Sequence, residues 1–351
     1  MLVGNWGMSG TFGFAGFGSF VPEAVLTNAD LEKIVDTSDE WILRRTGIRE
    51  RHILGKDESI LDMAVAASRR ALDDAGVRPE EIDDIRVGVN TWMRFPSLAT
   101  QLQAALEIGA ASASDVSAGC AGFIYAVEAA HGAMYLEKER YGRDTTALVV
   151  GVDGLSHVTD WTDRSTCVLL GDGAGAVVMK QTDRGAVLAT HTSADGRYGD
   201  MLWSDFVLGT QSKDDPREFT HETTGPRPYL HMDGRKVYVV AVESMVRDVH
   251  RVIEKYNIAS GESITVEDID YFYPHQANMR ILESVAKRLG LPPEKLYTEG
   301  VKRYGNTSTA SIPLGYMDNR ARFDLPGKRL EIDMAFGAGF ASGAVLRSVV
   351  G

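Results

Sequence analysis

Hydrophobic and polar positions along the chain alternate between a helical period and a strand-like period. SILDMAVAASRRALDDAG (59–76) places apolar residues three and four apart, as one buried face of a helix requires. The next stretch, IRVGVNTW, is typical of a strand, and the order continues with a helix over 97–109 and strands over 146–154 and 174–180. This alternation predicts an α/β protein in which helices pack on sheets.

The same order of elements occurs a second time. Residues 247–276 match 68–90 as helix, loop, acidic turn and strand, and the helix NMRILESVAKRLGL parallels SLATQLQAALEIG. VKRYGNTSTASIPLGYM then parallels DVSAGCAGFIYAVEA, and RLEIDMAFGAG and ASGAVLRSVV parallel the two strands that follow it. Five elements in one order indicate an internal repeat. We therefore predict two duplicated α/β halves related by pseudo-two-fold symmetry.

The repeat sets the predicted domain boundaries. Residues 1–182 form the first half, 183–240 a connecting segment, and 241–351 the second half. Within the connection, residues 203–229 are rich in charge, Thr, Pro and Gly and have little periodicity. Long connections of this kind are uncommon unless functional, so we expect a surface loop that acts as a lid or an interface segment.

Composition and charge limit the class of protein. The 351 residues are 44% hydrophobic and 25% charged, which is typical of a soluble globular protein. The chain starts without the pattern of a signal peptide and has no apolar run of the ~18 residues that span a bilayer. A net charge of −12 argues against a general affinity for nucleic acid or anionic membrane. Only two cysteines are present, so we expect a reducing, cytoplasmic location.

Cys120 lies in DVSAGCAGF, directly before an apolar run that predicts a buried helix. A thiol in the first turn of a helix meets unpaired backbone N–H groups and the positive end of the helix dipole, and both favour the thiolate. The small neighbours Gly119, Ala121 and Gly122 leave room for an acyl ligand. The same residues also suit a small packing residue at a tight turn. Cys167, with no helix start beside it, is predicted to be a core residue.

A histidine and an asparagine occupy turns that the repeat relates to Cys120. His275 follows an apolar strand in YFYPHQAN, where it is either structural or catalytic, and GN at 305–306 falls where GC stands at 119–120. Pseudo-two-fold symmetry brings matching strand-to-helix turns together, so we expect Cys120, His275 and Asn306 at one site. On its own, Asn306 is also a suitable helix N-cap.

Two glycine-rich segments need separate interpretations. FGAGF (336–340) either brings backbone N–H groups to a ligand, as an oxyanion hole requires, or forms a turn between two strands. GDGAGA (171–176) precedes a strand and lacks the spacing of a nucleotide loop. The histidines are scattered, and neither CxxC nor HExxH occurs, so we predict no metal site.

Together these motifs resemble the thiolase-like superfamily, and specifically the β-ketoacyl-acyl-carrier-protein synthase III family. The similarity covers nearly the whole chain, in NADLEKIVDTSDEWILRRTGIRERHI (28–53), DVSAGCAGF, TDRSTCVLLGDGAGAV (162–177), PHQANMRI (274–281), GNTSTASIP (305–313) and FGAGF. The combination of Cys, PHQAN and GNTS separates the chain from relatives with a Cys–His–His site and from thiolases. The resemblance implies a thiolase-like fold layered αβαβα.

The resemblance also implies an acyltransferase that begins fatty-acid synthesis. Cys120 would take the acyl group of an acyl-coenzyme A, and malonyl-acyl carrier protein would then replace coenzyme A. His275 and Asn306 would stabilise the enolate formed on loss of CO2, which would attack the acyl-cysteine to give 3-oxoacyl-acyl carrier protein. Backbone N–H groups of Cys120 and Ala338 would form the oxyanion hole. No cofactor would stay bound, because acyl-coenzyme A is a substrate.

Further contacts are implied by the resemblance alone. Those to coenzyme A would come from Thr37, Trp41, Arg45, Arg164, Gly234, Ala277 and Asn278, although Trp41 in SDEWILRR also suits an ordinary helix residue. Leu170 would line the acyl pocket, and Phe95 would close the acyl pocket of the partner subunit in a homodimer.

An acidic carrier protein needs a local basic surface on a chain of net charge −12. The docking candidates are Arg280, Arg235 and Lys236, followed by Lys287, Arg288, Lys302 and Arg303. The family pattern differs at Val239, where many members carry a docking lysine.

Two departures keep the starter group open. Leu170 stands where some members have a bulkier aromatic residue, and the 203–229 segment is longer than in compact members. Acetyl, branched, longer and aromatic acyl groups therefore all stay candidates. An alternative function is a ketosynthase III-like acyltransferase of secondary metabolism, with an unusual starter or a non-carrier acceptor. A non-catalytic partner resembling a chain-length factor is a third.

Overall fold

The computed structural model describes residues 11–204 and 229–351. Most of the predicted surface loop at 203–229 therefore lies outside the described residues. Within the described ranges, helices and strands alternate as the hydrophobic periodicity predicts.

The strands and helices of the first half precede residue 182. The strands are β1 (Phe12–Phe20), β2 (Val25–Thr27), β3 (Glu50–His52), β4 (Asp84–Gly88), β5 (Ser112–Val116), β6 (Ala147–Gly154) and β7 (Asp172–Gln181). The α-helices are α1 (Asn28–Leu31), α2 (Asp39–Thr46), α3 (Ile60–Ala75), α4 (Leu98–Ala105) and α5 (Gly122–Tyr141).

The remaining elements follow residue 182. The strands are β8 (Gly185–Ser193), β9 (Leu202–Ser204), β10 (Leu230–Met232), β11 (Tyr271–Pro274), β12 (Lys328–Phe336) and β13 (Ser342–Val350). The α-helices are α6 (Gly234–Ser260), α7 (Met279–Leu289), α8 (Glu299–Tyr304) and α9 (Ser311–Asp318). No helix within the described ranges has the length and apolar character that crossing a membrane requires.

The strand order of the two large sheets confirms the duplication. The first sheet has the order β1-β7-β6-β4-β5 and the second the order β8-β13-β12-β11. In both, the pairs nearest the first strand are antiparallel and the pairs further along are parallel. A parallel bridge from Phe272 to Leu296 stands beyond β11, where β5 stands beyond β4. The arrangement is the predicted thiolase-like one.

Helices lie between the sheets and on both outer sides. Strand β6 is buried along its whole length, because Val149 packs with α5 in the central layer while Val150 packs with α3 on the outer face. Helix α9 shares the central layer with α5, and α6 and α7 cover the outer face of the second sheet. The predicted αβαβα layering is therefore confirmed.

Local sequence signals define α3 closely. The Ser59 side chain accepts the Asp62 N–H, and the Asp62 carboxylate accepts the Ser59 N–H, which forms a capping box. Gly76 ends the helix with a left-handed φ of 59°. The helix predicted over 59–76 is confirmed as Ile60–Ala75.

Three boundaries differ from the periodicity. The strand predicted to reach Trp92 ends at Gly88, because the N–H groups of Asn90 and Thr91 bond to a buried carboxylate instead of a strand. The helix predicted over 97–109 ends at Ala105. The segment VKRY is helical in α8, so its match to the strand residues before Cys120 is one of position only.

The half boundaries at 182 and 240 stay a prediction. Strand β8 and the first turns of α6 lie inside the segment 183–240, and β8 pairs with β13 of the second sheet.

Candidate active site

One cavity in the described part of the chain, of about 1140 Å³, is formed by residues of both halves. Cys120, His275 and Asn306 all line it, as does Ala338. Each lies on a connection between elements: Cys120 between β5 and α5, His275 after β11, Asn306 after α8 and Ala338 after β12. The cavity therefore lies where the loops of the two halves meet, a common position for a ligand site.

Two glycines bring the Cys120 loop and the FGAGF loop into backbone contact. A Cβ atom on Gly119, whose φ is 53°, would lie 2.3 Å from the Ala338 amide nitrogen. A Cβ atom on Gly337 would lie 2.2 Å from the Cys120 amide nitrogen. Any larger residue would separate the loops. The amide groups of Cys120 and Ala338 are thereby held at the same wall of the cavity.

The loop beside Asn306 in the second half also has a glycine with positive φ and backbone contacts to the other half. Gly305 has a φ of 65°, and the Asn306 N–H donates to the Leu169 carbonyl at 2.8 Å. The Gly171 N–H donates to the Asn306 carbonyl at 3.0 Å. The Cys120 loop thus packs on the second half, and the Asn306 loop packs on the first.

The Asn306 side chain has a fixed orientation. Its Oδ1 accepts the Ser308 N–H at 2.9 Å, which leaves the Nδ2 hydrogens to donate elsewhere. Helix α9 begins only at Ser311, with Ala310 as its N-cap, so Asn306 does not cap it. The amide is therefore presented to the cavity as a donor.

Cys120 is partly buried and lies two residues before α5, outside its first turn. Burial raises the pKa of the thiol to about 12, and the nearby Asp153 carboxylate adds to the rise. A hydrogen bond with the Ser308 side chain lowers the pKa but does not offset burial. A helix dipole contributes up to about 2 kcal/mol, which lowers a pKa by only about 1.5. Cys120 therefore does not lie in the first turn of α5, where the sequence predicted it, and burial opposes the thiolate in the free protein.

His275 is 1% exposed and sits at the carboxyl end of β11. Its backbone N–H donates to the Met334 carbonyl at 2.8 Å. Its ring contacts Phe336 edge to face, with the ring centres 5.7 Å apart. Nδ1 lies 2.7 Å from the Ser311 hydroxyl. Burial lowers the pKa of the imidazole to about 3, so the ring is neutral at physiological pH.

Sequence reasoning missed a buried carboxylate that joins the halves. Asp153, at 0% exposure, accepts hydrogen bonds from the backbone and side chains of Asn90 and Thr91 and from the Thr309 hydroxyl at 2.8–3.1 Å. Asn90 Nδ2 also donates to the Gly119 carbonyl at 3.1 Å. Asp153 thus links the Cys120 loop to the Asn306 segment. The available signal was a polar pair, Asn90 and Thr91, directly after an apolar strand.

Most predicted coenzyme A contacts line the cavity. Its lining includes five of them, namely Trp41, Arg45, Gly234, Ala277 and Asn278. The other two do not line it. The Arg164 guanidinium lies 4.9 Å from the centre of the Trp41 ring and donates to the Asp36 carbonyl, and Thr37 Oγ1 is buried without a partner among the described residues.

The predicted acyl-pocket residues have opposite environments. Leu170 is 3% exposed and lines the cavity. Phe95 is 95% exposed and lies outside it, although the neighbouring Met93 is in the lining.

The docking candidates divide by their ion pairs. Four have acidic partners: Lys236 with Asp233, Arg288 with Glu243, Lys302 with Glu299 and Arg303 with Asp318. Arg235, Arg280 and Lys287 form no ion pair with the described residues, and Arg235 and Arg280 line the cavity.

No group of three or more His, Cys, Asp or Glu side chains in residues 11–204 and 229–351 is arranged to hold a metal ion.

Comparison with known proteins identifies the family. Residues 114–196 match 3-oxoacyl-[acyl-carrier-protein (ACP)] synthase III, and residues 260–348 match its C-terminal part. The β-ketoacyl-[acyl-carrier-protein] synthase III of Xanthomonas oryzae pv. oryzae (strain MAFF 311018) is 43% identical over 333 residues, covering 95% of this chain and 96% of the relative.

Solved structures agree with the sequence matches. The 3-oxoacyl-[acyl-carrier-protein] synthase III from Aquifex aeolicus VF5 has a TM-score of 0.83 at 39% identity, covering 96% of this chain and 99% of that chain. The priming β-ketosynthase of the R1128 polyketide biosynthetic pathway has a TM-score of 0.83 at 33% identity, covering 97% and 96%. The chain belongs to the 3-oxoacyl-[acyl-carrier-protein] synthase III family.

Proposed function

We propose that the chain condenses the acyl group of an acyl-coenzyme A with malonyl-acyl carrier protein, releasing CO2 and forming 3-oxoacyl-acyl carrier protein. This reaction is the first condensation of fatty-acid synthesis. The observation that carries the proposal is the meeting of a thiol, a neutral imidazole and an oriented amide in one cavity of a chain of this family.

In the first step the Cys120 sulfur attacks the thioester carbon of acyl-coenzyme A. The carbon–sulfur bond to coenzyme A breaks, the acyl group becomes a Cys120 thioester, and the thiol proton leaves with coenzyme A. The backbone N–H groups of Cys120 and Ala338 are held together by the Gly119 and Gly337 contacts, which supports their role as the oxyanion hole. One such donor typically lowers the activation barrier by about 3 kcal/mol.

In the second step malonyl-acyl carrier protein occupies the cavity. His275 and Asn306 donate hydrogen bonds to its thioester oxygen, the bond to the carboxylate breaks, and CO2 leaves with an enolate behind. The enolate carbon attacks the acyl-Cys120 carbonyl, and the cysteine sulfur departs and takes up one proton. A neutral histidine suits this task, since it can donate without adding a charge to the buried site.

The cavity mouth binds coenzyme A in this proposal. The contact of Arg164 with the Trp41 ring supports an aromatic and guanidinium pair around the adenine. Arg45, on the same helix as Trp41, lines the cavity and would meet a phosphate. Gly234, Ala277 and Asn278 would line the path of the pantetheine arm, and Thr37 would contact the adenine. Coenzyme A enters as part of the substrate and leaves with each turnover.

A homodimer and a carrier-docking surface complete the proposal. Phe95, a large apolar side chain that is 95% exposed, would insert into the acyl pocket of a second copy beside its Leu170 counterpart. Arg280 and Arg235, which line the cavity and have no ion pairs to described residues, would meet the acidic carrier. Lys236 would contribute less, since Asp233 already pairs with it. Both cysteines are free thiols, which supports a cytoplasmic location.

Two observations favour a polyketide-type function. The R1128 priming ketosynthase matches this chain with the same TM-score as the Aquifex aeolicus structure. Leu170, smaller than an aromatic residue, leaves space for a starter larger than acetyl.

The test uses intact-protein mass spectrometry with a panel of acyl-coenzymes A, followed by malonyl-acyl carrier protein. The proposal expects one stable adduct on wild type, none on Cys120→Ser, and a 3-oxoacyl-carrier product when the malonyl carrier is added. Acylation without any such product, with every starter that loads, contradicts the condensation. An adduct only with a larger starter favours the polyketide-type function.

A further inference from the structure

We propose that Ser311 is a positioning residue that fixes the proton of His275 on Nε2, the ring nitrogen turned toward the substrate. The inference rests on the proposed function for its catalytic consequence, but the proton position can be measured separately.

The hydrogen-bond geometry around Ser311 determines which atom donates. Its Oγ accepts the backbone N–H of Gln276 at 3.3 Å and lies 2.7 Å from His275 Nδ1. Ser311 is 2% exposed, and within the described part of the chain its hydroxyl hydrogen has one acceptor, His275 Nδ1. If Nδ1 carried the ring proton, the serine hydroxyl would be a buried donor without an acceptor, which is unfavourable. The hydroxyl therefore donates to Nδ1.

The tautomer follows from that bond. A neutral imidazole has one N–H, so a Nδ1 that accepts requires the proton to be on Nε2. Nε2 has no protein partner within residues 11–204 and 229–351, and His275 lines the cavity. The free donor on Nε2 is then available to a thioester oxygen.

One short segment orients both proposed donors. Ser308 holds the Asn306 amide through its N–H, and Ser311, three residues later, holds His275 through its hydroxyl. The segment is tied to the first half by the bond from the Thr309 hydroxyl to Asp153. In GNTSTAS, therefore, Ser308 and Ser311 serve orientation, while Asn306 meets the substrate.

The first test is nitrogen NMR of the full chain with ¹⁵N-labelled histidine, with the His275 signals assigned by their loss in His275→Gln. We expect Nδ1 to resonate as an unprotonated nitrogen that accepts a hydrogen bond, and Nε2 as a protonated one. The reverse pattern, with the proton on Nδ1, overturns the proposal whatever the activity of the protein.

The second test compares variants. Ser311→Ala removes the donor, Ser311→Thr keeps a hydroxyl, and Ser68→Ala is the matched control, because Ser68 is a buried helical serine whose hydroxyl has no partner among the described residues. For Ser311→Ala we expect the rate of malonyl-carrier decarboxylation to fall at least about tenfold, with Cys120 acylation within about twofold of wild type, since only a transition-state donor is misplaced.

The outcomes separate the proposal from a purely structural role and from the proposed function. Restoration by Ser311→Thr of both the Nε2–H signal and decarboxylation supports positioning. Equal loss of acylation and decarboxylation in a folded Ser311→Ala, or a Ser311→Ala ring that keeps its proton distribution and full decarboxylation, overturns it. If wild type shows the Nε2–H tautomer but never decarboxylates a malonyl carrier, the proposed function fails and the assignment of the tautomer stands.

Discussion

The segments DVSAGCAGF and RYGNTSTAS occupy equivalent places in a duplicated fold and present different chemistry to one cavity. Both pass through a glycine with left-handed φ, Gly119 at 53° and Gly305 at 65°. The first then presents a thiol and enters the 20-residue helix α5. The second closes a turn through Ser308 and presents an amide.

The difference shows how a repeat becomes an asymmetric site. Both segments share the positive-φ glycine, but different partners set the chemistry that each presents. Cys120 is influenced by burial and by Asp153, which hold it as a thiol, whereas His275 and Asn306 are neutral donors whose orientation is set by serines. In our account the first half carries the acyl group, and the second half polarises the malonyl thioester.

The largest expected effect tests the first half. Cys120→Ser should lower acyl loading to below roughly one-thousandth of wild type, because the nucleophile is removed. Intact mass after incubation with acyl-coenzyme A measures the loss. Cys167→Ala is the matched control, since Cys167 is a fully buried core residue, and it should load normally. An adduct that persists in Cys120→Ser and disappears in Cys167→Ala would show that Cys167, and not Cys120, carries the acyl group.

The pH dependence of Cys120 alkylation tests whether the free thiol is protonated at neutral pH. Burial raises the pKa of Cys120 to about 12, so its thiolate fraction should grow about tenfold per pH unit, or roughly 100-fold between about pH 7 and pH 9. The rate of alkylation by iodoacetamide, followed by mass, should rise accordingly because the thiolate is the nucleophile. A plateau reached near neutral pH would instead support dominance of the helix dipole.

The link between the halves is tested by Asp153→Asn. The substitution replaces one acceptor oxygen by an NH2 group, which cannot accept the N–H and O–H donors of Asn90, Thr91 and Thr309. We expect the free energy of unfolding to fall by about 1–3 kcal/mol. Urea denaturation measures the loss.

The matched control for this substitution is Asp172→Asn. Asp172 is also fully buried and accepts N–H groups, from Leu54 and Ser156, but it has no hydrogen bond to Asn90, the residue that bonds to the Cys120 loop. We expect both variants to lose stability and only Asp153→Asn to slow acylation of Cys120. Equal slowing in both variants would remove the specific role of Asp153.

The smallest effect concerns the docking surface of the second half. Arg280→Glu should raise the KM for the malonyl carrier about fivefold, since an exposed charge pair contributes up to about 1 kcal/mol. Lys302→Glu makes the same charge change at a residue already paired with Glu299 and should change KM less. Steady-state kinetics at two salt concentrations measure both. An equal rise for the two variants would indicate a general charge effect.

The periodic features could be predicted from the sequence because they depend on local spacing. Helix α3, strand β6 and the matching of GC with GN follow from the apolar pattern and the repeat. The partners that tune the site could not, since they join distant positions: Asp153 meets Asn90 across 63 residues, and Ser311 meets His275 across 36. The end of β4 at Gly88 and the thiol state of Cys120 depend on those contacts and on burial, which no local pattern encodes.

The division of labour between the halves has one direct test, the measurement of both half-reactions on Cys120→Ser and His275→Ala side by side. Intact mass reports acylation, and released CO2 reports decarboxylation of the malonyl carrier. The account predicts that folded Cys120→Ser forms no adduct yet releases CO2, while His275→Ala forms the adduct and releases CO2 about 100-fold more slowly. A folded His275→Ala that loses both half-reactions would contradict it.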